Sequence, residues 1–233
     1  MQALLLAGGR GTRLRSVVND RPKPMALVEG KPFLEYLLTQ LKKNDITDII
    51  FAVGYKGSMI EEYFGDGSKF GIKAEYSYEK EQLGTAGAIK NAADFIKDDY
   101  FFVLNADTYY NLDYSRLVDM KENTASEMVL VLREVSDKSR YGSVSTDGDR
   151  VTGFNEKSEE AVAGLINGGI YYMSKKLLED IPDRKCSLEN EMIPKWLDEE
   201  MIITAYVNDG YFIDIGVPED YFRFQKDVRE NNL

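Results

Sequence analysis

A chain of 233 residues, 43% of them hydrophobic, is long enough for one sizeable core or two closely joined lobes. Its net charge of −11 argues against nonspecific nucleic-acid binding, although a local cationic site for a small polyanion can oppose the global sign. The absence of histidine and the single cysteine, Cys186, exclude Ser-His-Asp and Cys-His catalysis, histidine-bearing zinc sites and an internal disulfide. Any catalysis must rest on Asp, Glu, Lys, Arg, hydroxyls or an oxygen-bound metal. One free thiol fits a reducing compartment, so a cytoplasmic location is expected. The apolar start is too short for a signal peptide, and no run approaches the ~20 apolar residues of a membrane span; a soluble chain with no membrane partner is expected.

Residues 2–6 predict a buried strand leading into the glycine-rich loop "AGGRGTRLR". "KPFLEYLLTQLKK" (31–43) carries apolar residues at helical spacing, and "DIIFAVGY" (48–55) predicts a second buried strand. "MIEEYF" predicts a short helix, "KAEYSYE" (73–79) an alternating strand, and "GTAGAIKNAADFI" a helix whose small residues allow close packing on a sheet. "YFFVLNAD" (100–107) is a third buried strand ending on an acid. Strands alternating with helices at this spacing predict an α/β fold with a largely parallel sheet.

After about residue 110 the texture becomes more antiparallel. "YGSVSTDGDRVTGFNEK" (141–157) predicts a hairpin turning at Asp147-Gly148. "LINGGIYYMS" predicts a strand leading into a helix at "KKLLEDI". "MIITAYV" and "YFIDIG" predict the last strands, and "PEDYFRFQKDVREN" a terminal helix with Pro218 in its first turn. Trp196 reads as a helix-packing residue. No linker, repeat or β-helix tail is visible, so 1–233 is expected to be a single domain. Its two halves, the second more antiparallel, would meet near residue 110.

A glycine loop between strand and helix can turn backbone N–H groups toward phosphate, with Arg10, Arg13 and Arg15 adding charge. The loop lacks the Gly-Lys-Ser/Thr ending of a Walker motif, and Leu14 stands where a dinucleotide loop needs its third glycine. Prolines on both sides of Lys23 fix the backbone that carries its ammonium, a useful point charge against phosphate. Asp107, where a buried strand ends, sits at the edge where open α/β sheets bind ligands.

"LAGGRGTRL", seven residues, then "PKP" resembles the signature of the sugar-1-phosphate nucleotidyltransferases. "LGTAGAI", "LNAD", "FNEK", "LINGGIY" and "FIDIGVPEDY" resemble that family's later motifs in the same order, so the resemblance covers nearly the whole chain. "RSVVNDRPKPMA" and "GYFIDIGVPEDYFRF" are most similar to the members that act on a heptose 1-phosphate with GTP. The resemblance implies a Rossmann-like, GT-A-like α/β fold, a mixed, mostly parallel sheet flanked by helices. It also implies transfer of a nucleotidyl group from GTP to a sugar 1-phosphate with Mg²⁺ as cofactor. Another sugar, such as mannose or glucose, another nucleotide, or a catalytically silent regulatory homologue are the alternatives. Oligomeric state is left open, a homodimer being possible.

The resemblance also implies roles, with a nucleotide-binding half at about 1–110 and a sugar-binding half at about 111–233. Leu6, Ala7, Gly8, Gly9, Gly11, Thr12, Gln82, Gly84, Thr85 and Asn105 would hold the nucleotide, with Glu81 as plausible as Gln82 for the base edge. Arg13 would brace the leaving phosphates, and Lys23 would bridge the α-phosphate and the incoming sugar phosphate. Asp107 and Asp214 would hold the metal. Gly142, Glu156, Lys157, Asn167 and Gly168 would meet the sugar phosphate, Lys157 by charge. The family's usual Gly-Asp is Ala106-Asp107 here, and the extra methyl is expected to crowd the nucleotide or metal slightly.

Overall fold

A computed structural model describes residues 1–138, 142–155 and 162–230. The first strand, β1 (Gln2–Ala7), is buried along almost its whole length. The loop after it tightens into two single helical turns, Thr12–Leu14 and Lys23–Met25, the second framed by the buried Pro22 and Pro24. A small antiparallel pair, β2 (Leu27–Val28) and β3 (Lys31–Pro32), delivers the chain to α1 (Phe33–Lys43). The apolar stripe of α1, Phe33, Leu34, Leu37, Leu38 and Leu41, is buried as its spacing predicts.

The alternation then continues through β4 (Asp48–Val53), α2 (Ser58–Phe64), β5 (Lys73–Tyr78), α3 (Gly84–Asn91) and β6 (Tyr100–Asn105). The helix expected across "GTAGAIKNAADFI" ends at Asn91 and continues only as a 3₁₀ turn, Ala93–Phe95. Beyond β6 come β7 (Thr108–Tyr110), α4 (Ser115–Thr124), β8 (Met128–Val135), the hairpin β9 (Ser143–Asp147) and β10 (Arg150–Asn155), and the long β11 (Gly164–Ser174). The helix expected at "KKLLEDI" is a 3₁₀ turn, Lys175–Glu179. A π-helical turn, Leu188–Met192, precedes α5 (Ile193–Asp198), β12 (Ile203–Val207), β13 (Phe212–Asp214) and α6 (Pro218–Arg229).

Among the described residues a nine-stranded sheet runs in the order β5-β4-β1-β6-β11-β8-β12-β10-β9. The first four strands are parallel neighbours, and only β11 and β10 run against the rest. Strands buried on both faces read as continuous apolar runs, which is why "LLLA", "IIFAV" and "FFVL" show no alternation. Two apolar clusters cover the two faces. One contains α1, Phe102, Tyr110 and Phe224, and the other contains Ala86, Ile89, Tyr171 and Trp196. Trp196 is fully buried and donates its indole N–H to Asp180 at 3.2 Å.

Two features outside the main sheet position the site. β7 pairs antiparallel with β13, setting Thr108 opposite Asp214. Ile215 N–H donates to the Asp107 carbonyl at 3.0 Å, and Ala106 N–H to the Leu6 carbonyl at 3.3 Å. The ends of β1, β6 and β13 are thereby tied together. Ala106 is wholly buried within the apolar core, so its methyl fills the interior and does not crowd the site, contrary to the sequence expectation.

Candidate active site

Lys23, Asp107 and Asp214 are distant in the chain and meet at the C-terminal ends of β1 and β6. The Lys23 ammonium donates to Asp107 Oδ2 at 2.5 Å and to Asp214 Oδ1 at 3.3 Å. Its side chain is only 9% exposed. Gly11 makes this approach possible. Its φ of +57° is left-handed, and a methyl there would lie 2.9 Å from Lys23 Cβ. The loop and the proline-framed turn therefore pack backbone against side chain.

Burial alone would depress the Lys23 ammonium, but the Asp107 and Asp214 charges outweigh it and hold it above its ordinary value. Asp214 is also pushed up, first by burial and then by the Asp107 charge, against the opposing effects of Lys23 and the Gly216 N–H. The two carboxylates thus lie close enough for the Asp107 charge to oppose ionisation of Asp214, and together they offer only oxygen donors.

Gly216 closes the site from the other side. Its N–H donates to Asp214 Oδ1 at 2.7 Å. A methyl at this position would lie 2.9 Å from Asp214 Oδ1, 3.1 Å from Lys23 Nζ and 3.2 Å from Arg13 Nη2. Arg13, Lys23 and Asp214 thus converge over one bare α-carbon.

Two adjoining hollows open from this point. The first, about 210 Å³, is lined by Leu6, Ala7, Gly9, Gly11, Thr12, Arg13, Lys23, Pro24, Asp107 and Gly216. The second, about 400 Å³, is walled by Gly8, Gln82, Gly84, Thr85, Ala88 and Asn105, and shares Leu6, Gly9 and Asp107 with the first. Every residue read as nucleotide-contacting lines one hollow or the other. Gln82 faces the second hollow, whereas Glu81 is exposed and lines neither.

Other predicted residues lie differently. Asn167 and Gly168 sit on β11 and line neither hollow. Asn167 is already engaged with Gly169 N–H and Tyr171, and Gly168 packs against the Tyr110 ring. Gly142 immediately precedes β9. Glu156 and Lys157 lie outside the described residues.

Glu79 was not singled out by the sequence. It ends an alternating strand, where a charged residue ordinarily points to solvent, yet it lines the second hollow. Its Oε2 accepts from Leu83 N–H at 3.0 Å, and a methyl on Gly8 would run into its carboxylate. Burial pushes its carboxyl above the usual range, with the Leu83 N–H opposing. A carboxylate held in this position is an acceptor facing the hollow. In the sequence it is one of the charged residues of "YEKEQ", with nothing to set it apart from its neighbours.

Among the described residues no three metal-binding side chains cluster, and no helix is long and apolar enough to cross a membrane.

The nucleotidyl transferase family model matches residues 2–231. The D-glycero-alpha-D-manno-heptose 1-phosphate guanylyltransferase of Campylobacter jejuni is 45% identical over 226 residues, 96% of this chain and 98% of that protein. The enzyme of the same name from Aneurinibacillus thermoaerophilus is 39% identical, over 98% of this chain and 99% of that one. The crystal structure of HddC from Yersinia pseudotuberculosis complexed with GMP-PN is 39% identical and superposes with a TM-score of 0.86, covering 97% of this chain and 99% of that one. A glycine loop, a proline-framed lysine and paired aspartates at one end of a mixed sheet, together with these matches along the chain, place it by descent: it belongs to the nucleotidyl transferase family.

Proposed function

We propose that the protein transfers a guanylyl group from GTP to D-glycero-α-D-manno-heptose 1-phosphate, releasing pyrophosphate. The observation that carries this reading is the convergence of Arg13, Lys23, Asp107 and Asp214 where the two hollows meet. The guanylyltransferases similar over nearly its whole length support the choice of nucleotide and sugar.

In this reaction a sugar-phosphate oxygen forms a bond to the α-phosphorus of GTP, and the bond from that phosphorus to the bridging β-oxygen breaks. Both reactants are anions, so the barrier is dominated by charge and position. No base is required, because a phosphate monoester is largely deprotonated near neutral pH. The Gly8–Gly11 backbone and Arg13 hold the departing phosphates in the smaller hollow. Lys23 places its ammonium where α-phosphate and incoming phosphate approach each other. The base lies in the larger hollow against Gln82, Gly84 and Thr85.

Glu79 supports guanine. Guanine presents two adjacent donors, N1–H and the 2-amino group, and a carboxylate can accept from both; adenine lacks that pair. Glu79 and Asp107 both line this hollow, and Asp107 is engaged by Lys23.

The cation is proposed to be Mg²⁺, held by Asp107 and Asp214. The all-oxygen donor set of that pair fits an ion that takes one or two carboxylates and completes its shell with phosphate and water. When bound it would neutralise charge on the phosphates. We assign residues 1–110 mainly to the nucleotide and the remainder to the sugar phosphate, with Glu156 and Lys157 among the sugar-side groups. A cytoplasmic setting is part of the same proposal.

The test is pyrophosphate release with Mg²⁺, crossing five nucleoside triphosphates against heptose, mannose and glucose 1-phosphates. Release with GTP and heptose 1-phosphate is expected to dominate. Preference for another pair would overturn the substrate assignment and keep the chemistry.

A further inference from the structure

Glu189 lies outside both hollows, on the π-helical turn Leu188–Met192, an irregularity found often near functional sites. Its two carboxylate oxygens are used for different parts of the molecule. Oε2 accepts from the Thr85 hydroxyl at 2.6 Å and from the Ser187 hydroxyl at 3.0 Å. Oε1 accepts from the Tyr171 hydroxyl at 3.0 Å.

The first arm reaches the nucleotide side. Thr85 opens α3 and lines the larger hollow. Its single hydroxyl proton is donated to Glu189, while its oxygen accepts from Leu188 N–H at 2.8 Å. The segment around Glu189 also clasps the start of α3 by backbone, with Cys186 N–H donating to the Leu83 carbonyl at 2.8 Å and Gly87 N–H to the Cys186 carbonyl at 3.2 Å.

The second arm runs through β11. Tyr171 is fully buried, and burial together with the Glu189 charge holds its phenol far above the ordinary value, so it remains a donor. Its oxygen accepts from Asn167 Nδ2 at 2.5 Å, and Asn167 Oδ1 accepts from Gly169 N–H at 3.0 Å. These contacts span the irregularity between Asn167 and Tyr171 in the pairing of β11 with β8. Within it, Gly169 abuts Asn105, whose side chain lines the larger hollow.

We propose that Glu189 is a positioning residue that holds two walls of the larger hollow in one register, Thr85 on α3 through one carboxylate oxygen and the β11 bend against Asn105 through the other. It lines neither hollow itself. The inference rests on the reading of the larger hollow as the nucleotide's and on the proposed reaction.

Because the arms are separate, they can be cut separately. Tyr171→Phe keeps the ring and severs only the β11 arm. It is expected to raise KM for GTP about tenfold while KM for the sugar 1-phosphate stays within about twofold. Glu189→Ala severs both arms and is expected to raise KM for GTP at least as much. The double variant should be no worse toward GTP than Glu189→Ala alone, because Tyr171 acts through Glu189. Should Glu189→Ala fail to fold, Glu189→Gln serves in its place. Its amide nitrogen cannot accept, so the hydroxyl on one side must reverse or lose its bond, and KM for GTP is expected to rise.

Equal effects of Tyr171→Phe on both substrates, additive losses in the double variant, or unchanged KM values in folded Glu189→Gln would each overturn the proposal. In all three cases wild-type turnover still stands, so the reaction assignment survives. Absence of wild-type turnover with every substrate pair would remove the reaction assignment and this proposal with it.

Discussion

The Lys23 ammonium stands 2.5 Å from Asp107 Oδ2, joining a proline-framed turn near the start of the chain to the end of a central strand. The same nitrogen reaches Asp214, whose strand is paired beside Asp107. A cation and two carboxylates are thus held together before any substrate arrives. Preorganisation of this kind lowers a barrier that consists mainly of bringing like charges together.

Removing the ammonium should abolish most catalysis without unfolding the protein. Lys23→Ala is expected to lower turnover by about 10²–10³-fold, as measured by steady-state pyrophosphate release, with the circular-dichroism spectrum unchanged. Lys23→Arg should not restore it. A planar guanidinium differs in shape from the ammonium that fits this 9% exposed slot between two carboxylates.

Asp214→Asn should separate stability from activity. The folded state binds the Asp214 proton more tightly than the unfolded chain, so ionising this group costs the fold stability. That cost sets in as pH rises from the ordinary carboxylate range through the raised value. The asparagine variant does not incur it, while its Oδ1 can still accept from Gly216 N–H. Thermal melts should therefore show the variant gaining on wild type as pH rises through that window, with the gain reversing as pH falls back through it. Its turnover should drop by orders of magnitude. A difference in stability that did not move in that direction with pH would contradict the electrostatic account.

Gly216→Ala adds one methyl where Asp214, Lys23 and Arg13 meet. The backbone there is closely tied, so the side chains must move. Turnover is expected to fall at least tenfold, about 1.4 kcal/mol in the barrier, with a melting temperature close to wild type. Wild-type turnover would show that the three groups need not converge.

Glu79→Gln tests the base. Inosine triphosphate lacks the 2-amino donor of guanine, so wild type should favour GTP over it by about tenfold in kcat/KM. Glu79→Gln should reduce that preference to within about twofold, chiefly by lowering kcat/KM for GTP. Retention of the wild-type ratio would remove Glu79 from base recognition.

The parts legible in sequence were those whose chemistry is local. The glycine loop, the prolines around Lys23 and the acids at strand ends can each be read within a few residues, and the structure brings them together. The central strands were legible because burial on both faces leaves uninterrupted apolar runs. Less legible was "MVLVL" in β8, because so short an apolar run does not distinguish a buried strand from a buried helix. The pairing of β7 with β13 joins three-residue strands about a hundred positions apart, which no local pattern encodes. Glu79 and Glu189 were hidden for a related reason. Each sits in a charged stretch that reads as solvated surface, and only tertiary placement turns its carboxylate inward. Ala106 shows the opposite error, a methyl expected at the site that the fold buries in the core.

The most direct test of the central claim is pyrophosphate release from GTP and heptose 1-phosphate with Mg²⁺, measured on wild type and Lys23→Ala side by side. The account predicts rapid release by wild type, little with other nucleotides, and near-complete loss in the folded variant. No release by folded wild type with any nucleotide and sugar 1-phosphate, or undiminished release by the variant, would contradict it.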